Sequence, residues 1–345
     1  MSALEISSLK PAWLALLLCS LAALGLLLGA GAGSTGWQAL SQAWSDDAAW
    51  QIVRDIRLPR SAGAWLAGAL LGLAGALAQG LFRNPLADPF LLGSASGASL
   101  AVCLWLSLAG AGAFAVQSLL GLTSAAFVGA FGAVWLTVAL SRGVQHSLRL
   151  LLAGVIVGVV LGALSNWLAL LRPDVLQAMQ GFLLGSTAFV GWPACLAMAL
   201  ALLAASALAW PLARVLDALS LGEDTARSLG MPLAAARWWL LAAFALATGA
   251  AVAQVGLIAF VGLAAPHLVR ALVPTGYGWQ LPLATLMGAV LLLWADLLAR
   301  LLMAPQDMPV GVLTAVIGGG YLLLRMSRGS AGLRGLASSD AGARR

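Results

Sequence analysis

The residues Leu257-Ile258-Ala259-Phe260-Val261-Gly262-Leu263-Ala264-Ala265-Pro266-His267-Leu268-Val269 are apolar enough for a bilayer and too few to cross one. A spanning helix needs about 20 apolar residues. Pro266 should break the run as well, because proline lacks an N–H and crowds the carbonyl four residues back. Whether this piece counts as a crossing decides the topology of the whole chain. The neighbouring sequence has to settle it.

Nine further hydrophobic runs surround it, at about 12–33, 61–81, 91–110, 118–140, 150–171, 192–212, 238–256, 281–299 and 309–325. Most are long enough for one crossing. The first, at 12–33, exceeds the 7–15 residues of a signal-peptide core and reads as a transmembrane helix. Over the full 345 residues, 62% are hydrophobic and 9% charged, with a mean hydropathy of +0.98. Soluble domains carry about 25% charged residues, so a water-soluble enzyme is excluded. The expected fold is an all-α polytopic membrane protein.

Arginine placement settles the short run. With the N-terminus in the cytoplasm and ten crossings, Arg54, Arg57, Arg60, Arg172 and Arg300 lie outside, and the other 13 of the 18 Lys and Arg lie inside. Nine crossings would leave eight inside and ten outside. The positive-inside bias favours ten transmembrane helices with both termini cytoplasmic.

Lys+Arg 18 against Asp+Glu 12 gives +6 without a basic run or stripe, so no nucleic-acid partner is expected. Cys19, Cys103 and Cys195 are isolated, and His146 and His267 are the only histidines, so no disulfide framework or metal site is expected. Lys10 is the only lysine and no P-loop is present. The chain cannot cradle ATP through that motif, and no cofactor is expected within it.

Local segments suggest mechanism. Arg54, Arg57 and Arg60 flank Pro59, which suits the first turn of the second helix. Cations there oppose the helix dipole. They read either as a docking site for an acidic partner, together with Arg300, or as snorkelling side chains. Trp37, Trp44 and Trp50 beside them fit an interfacial belt. Asp296 and Arg300 stand at i, i+4 and can pair on one helix face. Ser220 and Glu223 have capping-box spacing, and Gly230 and Pro232 supply a stop, so a short inner helix is expected as connector or lever. Pro85 and Pro89 forbid helix after Phe82, forming a gate or a plain turn. Gly68, Gly72 and Gly75, and Gly154, Gly158 and Gly162, give close-packing faces. Ala76-Leu77-Ala78-Gln79 echoes Ala251-Val252-Ala253-Gln254, each before a short broken piece, a weak inverted repeat.

Arg57-Leu58-Pro59-Arg60, Gly75…Gln79, Asn84-Pro85-Leu86-Ala87-Asp88-Pro89, Leu92-Gly93…Gly97-Ala98, Phe260-Val261-Gly262-Leu263…Pro266-His267…Arg270, Ala295-Asp296…Arg300 and Pro309-Val310-Gly311 together make the chain resemble the FecCD-type permeases of ABC importers for ferric siderophores, haem and vitamin B12. The likeness runs from about residue 50 to 325. It implies a single permease domain over 1–326, with a coupling loop at about 213–237. Residues 327–345 would form a disordered, mildly basic cytoplasmic tail touching membrane lipid. It implies a homodimer in the bacterial inner membrane, with two cytoplasmic ABC ATPase subunits that bind ATP and Mg and a periplasmic substrate-binding protein above. By the resemblance Arg57, Arg60 and Arg300 meet the binding protein. Leu221, Gly222, Glu223, Ala226, Arg227, Leu229 and Gly230 engage the ATPase. Asn84, Pro85 and Leu86 belong to the cytoplasmic gate, with a looser match at Ser147 and Leu148. Siderophore leads as cargo, with haem and cobalamin as alternatives. A stand-alone secondary transporter would need buried coupling carboxylates, and Asp296 is the only one well inside a span. A membrane transferase would need clustered polar residues, whereas Gln79, Gln254 and Asn166 are scattered.

Overall fold

The computed structural model describes residues 10–33, 36–37, 47–109, 116–141, 147–303 and 306–321. Arg142, His146 and the tail at 327–345 lie outside them. The described chain is helical apart from turns and one two-residue antiparallel pairing, Ala32–Gly33 with Gly36–Trp37. Seven stretches are long and apolar enough to cross a membrane, and three apolar helices are shorter. The protein is therefore a multi-pass membrane protein.

The helices are α1 (Pro11–Gly31), α2 (Asp47–Ile52), α3 (Leu58–Phe82), α4 (Ser94–Ala109), α5 (Val116–Leu140), α6 (Ser147–Leu171), α7 (Pro173–Leu184), α8 (Trp192–Ala209), α9 (Ala213–Ser220), α10 (Glu223–Ser228), α11 (Leu233–Val255), α12 (Val261–Leu272), α13 (Tyr277–Leu302) and α14 (Val310–Tyr321). Helix α3 is the hub. Its apolar stretch is 83% buried, against 22% for α6. Small residues allow this. A Cβ at Gly68 or Gly72 would overlap backbone of α13, and one at Gly75 would overlap the Gly262 carbonyl of α12. With no hydrophobic drive between helices in lipid, such close backbone approach supplies the packing energy.

The second helix does not start at Pro59. Helical backbone runs from Asp47 through a π-helical turn at Val53–Arg57 into α3, and the Leu58 N–H donates to Val53 O. Proline has no N–H for the next bond, and one extra residue per turn absorbs the gap. The arginines thus lie along a continuous helix, and the dipole objection to them falls away. Pro266 likewise sits inside α12 instead of breaking it. The carbonyl it leaves without an intrahelical donor belongs to Gly262, which packs against Gly75. Helix α7 was not anticipated, because its 12 residues are too few and too polar to read as a span.

The echo around Gln79 and Gln254 has a structural counterpart. Both α3 and α11 end within three residues of the glutamine and are followed by a break and a short helix. The breaks contain the left-handed residues Arg83 (φ 50°) and Phe260 (φ 69°). Both breaks fold back into the bundle. Leu91 and Leu92 pack on Gly154, the eighth residue of α6. At the other break, Leu257 N–H donates to Phe182 O (3.0 Å), Ser186 N–H to Val255 O (2.8 Å) and Gly311 N–H to Gly185 O (3.2 Å). Irregular backbone at membrane depth persists only where protein satisfies it in this way.

Candidate functional site

Polar side chains gather at the two ends of the bundle. One end carries Arg60 and Arg300 and is called the outer end here, after the expectation from the arginine count. The other carries α9 and α10.

At the outer end, α13 presents Asp296, which is fully buried. Arg300, one turn on, pairs with it and is 1% exposed, so the i, i+4 pairing holds. Arg60 Nε reaches the same carboxylate at 3.2 Å, and its Nη1 bonds both Asp307 oxygens at 3.1 and 3.2 Å. Thr187 donates to Asp296 Oδ1 at 2.5 Å. Arg300 also donates to Ser61 Oγ (3.0 Å) and Gly29 O (3.3 Å), and Arg57 donates to Gly31 O (3.2 Å). The last two acceptors lie in the final turn of α1, where unpaired carbonyls and the negative helix end favour cations. Arg57 is 7% and Arg60 8% exposed. All three arginines are thus engaged within the subunit. Arg54 is exposed, and half-exposed Asp307 carries the cluster to the surface. Thr187 and Asp307 escaped sequence reading, since neither lies in a charged motif or a span.

At the inner end, α10 is a six-residue helix, but its cap is not the expected box. Gly222 (φ 118°) holds the N-cap position, and Ser220 Oγ turns back to Asp217 O at 2.6 Å. Glu223 instead accepts from Arg237 Nη2 at 2.6 Å, with Arg83 and Arg227 each at 3.8 Å. A carboxylate with so many cations nearby is better used as an anchor than as a cap. Ala226 is the buried residue of α10, Gly230 (φ 72°) follows its end, and Leu221 and Leu229 stand exposed on either side. The result is a rigid knob with two apolar contacts.

The turn after α3 is fixed by its own side chains. Asn84 Oδ1 accepts Leu86 N–H (2.9 Å), and Asp88 Oδ1 accepts Phe90 N–H (2.8 Å). Burial pushes the Asp88 carboxyl up to about 6. Asn84, Pro85 and Leu86 are exposed, as is Leu148 at the start of α6. The Ser147 side chain lies outside the described residues.

A further network joins these parts. Tyr277 N–H donates to Asp217 Oδ1 of α9 at 2.8 Å. Arg270 donates to Gln79 Oε1. Gln79 Nε2 in turn reaches Leu263 O (3.1 Å) and Ala87 O (3.4 Å). The motif residues Gln79 and Arg270 thus tie the turn after α3 to α12, beside the elements that hold α9.

The FecCD transport family matches residues 15–328. The hemin transport system permease protein HmuU of Yersinia pestis is 41% identical over 300 residues, 85% of this chain and 88% of that protein. The ferric enterobactin transport system permease protein FepD of Escherichia coli is 40% identical over 327 residues, 92% and 96% of the two chains. A structure described as an inward-facing conformation of a metal-chelate type ABC transporter superposes with a TM-score of 0.82 at 29% identity, covering 92% of this chain and all of that one. A match of this extent leaves one assignment: the chain belongs to the FecCD transport family.

Proposed function

We propose that this chain is the permease subunit of a binding-protein-dependent ABC importer for a metal chelate, with ten crossings, both termini cytoplasmic, in the bacterial inner membrane. It works as a homodimer with two ABC ATPase subunits that bind ATP and Mg, and with a periplasmic binding protein. It contributes no catalytic group of its own, and residues 1–326 act as one permease domain. The observation that carries this reading is the anchored knob α10. A short helix held by the Glu223–Arg237 ion pair and presenting Leu221 and Leu229 gives a second protein something to push. Ferric siderophore is the leading cargo, and relatives named for enterobactin, hydroxamate, hemin and vitamin B12 define the range.

The proposed mechanism uses these contacts. ATPase closure moves α10. Glu223 transmits the motion to α11 through Arg237 and to the turn after α3 through Arg83. The exposed Asn84, Pro85, Leu86 and Leu148, with Ser147, then open or close the inner gate. At the outer end the binding protein docks through Arg57, Arg60 and Arg300. Since Arg60 and Arg300 are buried against Asp296, Arg57 is held by carbonyls of α1 and only the Arg60–Asp307 pair reaches the surface, docking proceeds by exchange. A carboxylate of the binding protein takes the place of half-exposed Asp307 on Arg60. Arg60→Gln, which keeps a hydrogen-bond donor toward Asp296, should cut binding-protein-stimulated ATP hydrolysis severalfold at low salt, with basal hydrolysis retained. Unchanged stimulation in that variant overturns the docking assignment.

A further inference from the structure

A cavity of about 210 Å³ lies between α4, α6 and α7. Among its lining residues are Ser96, Ser99, Ser165 and Asn166, with Gly162 and Met179 behind them, and none is charged. Ser99 and Ser165 are buried, at 5% and 3% exposure. Asn166 lies five residues before the end of α6, about 7 Å inside it at 1.5 Å per residue. Helix α4 begins beside the middle of α6, where Gly158 and Gly162 face Ser96. In the ten-crossing topology proposed above, the cavity sits within the bilayer, between its centre and the outer end.

Hydroxyls inside this bundle normally quench themselves. Ser20, Ser61, Ser107, Thr248 and Thr285 each donate to the carbonyl four residues back, at 2.7–3.0 Å. Ser96, Ser99, Ser165 and Asn166 do not, and among the described residues none of these side chains has a hydrogen-bond partner. A buried polar group left unpaired is costly, and here two, Ser99 and Ser165, converge on one cavity with half-buried Ser96 and exposed Asn166. Three hydroxyls and a carboxamide supply both donors and acceptors without charge. That chemistry matches amide and hydroxamate carbonyls and disfavours a highly anionic ligand, for which a cation would be needed. The cavity is too small for a whole chelate and suits one arm of it.

We propose that this cavity is a subsite on the translocation path for the amide or hydroxamate groups of a neutral metal chelate. The proposal rests on the importer reading and narrows its cargo. Its test is equilibrium binding of iron-radiolabelled ferrichrome, a neutral ferric trihydroxamate, to the full-length permease in phosphatidylcholine–phosphatidylglycerol nanodiscs. Saturable binding is expected, weakened by about tenfold or more in S99A/S165A, which loses two hydroxyl partners. S99T/S165T, which keeps both hydroxyls, should restore it, and Asn166→Leu, at an exposed position, should weaken it on its own. Trianionic ferric enterobactin should bind the native protein no better than ferrichrome binds the double alanine variant. Absence of saturable ferrichrome binding, or equal binding by native and both weakened variants, overturns the subsite. The importer reading is tested separately by ATP-dependent uptake with the ATPase present. Uptake that persists while binding ignores these residues rejects the subsite alone.

Discussion

Asp296 holds two buried arginines, and the account gives it a structural weight that its neighbours do not share. Asp296→Asn removes the charge but keeps the size, leaving Arg300 and Arg60 without their common partner inside the protein. Loss of one member of a buried ion pair costs about 3–5 kcal/mol, so the melting temperature in detergent should fall sharply. Asp307→Asn removes a half-exposed partner and should cost about 1 kcal/mol or less. Equal effects would show that the cluster is not built around Asp296. Asp88 gives a pH signature. Its carboxyl is raised to about 6 by burial, above the usual value of about 3.9 for an unfolded chain. The sign follows from linkage. The protonated form is favoured in the fold, so stability is full below about 4 and is lost as pH rises through about 6. Asp88→Asn keeps an acceptor for Phe90 N–H and should raise the melting temperature at pH 7.5 more than at pH 5. The sequence made Asp296–Arg300 visible, because i, i+4 spacing is local. It could not show that Arg60, 236 positions away, shares the carboxylate, nor that all three arginines are buried, because those facts arise only when α1, α3 and α13 meet.

Among the elements, the long helices were legible from hydropathy, and the glycine faces of α3 and α6 from spacing. What escaped were features set by backbone accounting: the π-turn before Pro59, the tolerance of Pro266, and α7. The cap of α10 departs from the capping-box spacing for a related reason. Ser220 and Glu223 have the right spacing, but Arg237 competes for the carboxylate and wins with a full charge. Close approach of α3 and α12 makes a prediction at this scale. Gly75→Ala places a methyl on the Gly262 carbonyl, where backbone has to move, and should cost about 3 kcal/mol or more. Gly181→Ala, with open space at its Cβ, is the control and should be near neutral in thermal melts. The Gln79–Arg270 contact makes another. Gln79→Leu frees the turn at Ala87 from α12 and should lower substrate-stimulated ATP hydrolysis severalfold while basal hydrolysis remains. Loss of both together would mark Gln79 as a folding residue only.

For the whole molecule, composition alone pointed to a multi-pass membrane protein, and the proposed ten crossings, in place of nine, rest on arginine counting. Function was less local. It became readable once two ends of opposite character were seen on one bundle: a buried arginine–carboxylate cluster at one and an anchored apolar knob at the other. Such a body suits the proposed division of labour, in which partner proteins hold its two ends and a separate ATPase supplies the motor. Proteoliposomes holding this permease, loaded with ATP and supplied with a ferric chelate and its binding protein, measure that division of labour directly when the ATPase subunit is included or left out. Accumulation of chelate only when both ATPase and ATP are present is the predicted result. Accumulation by the permease alone, or driven by an ion gradient, would contradict it.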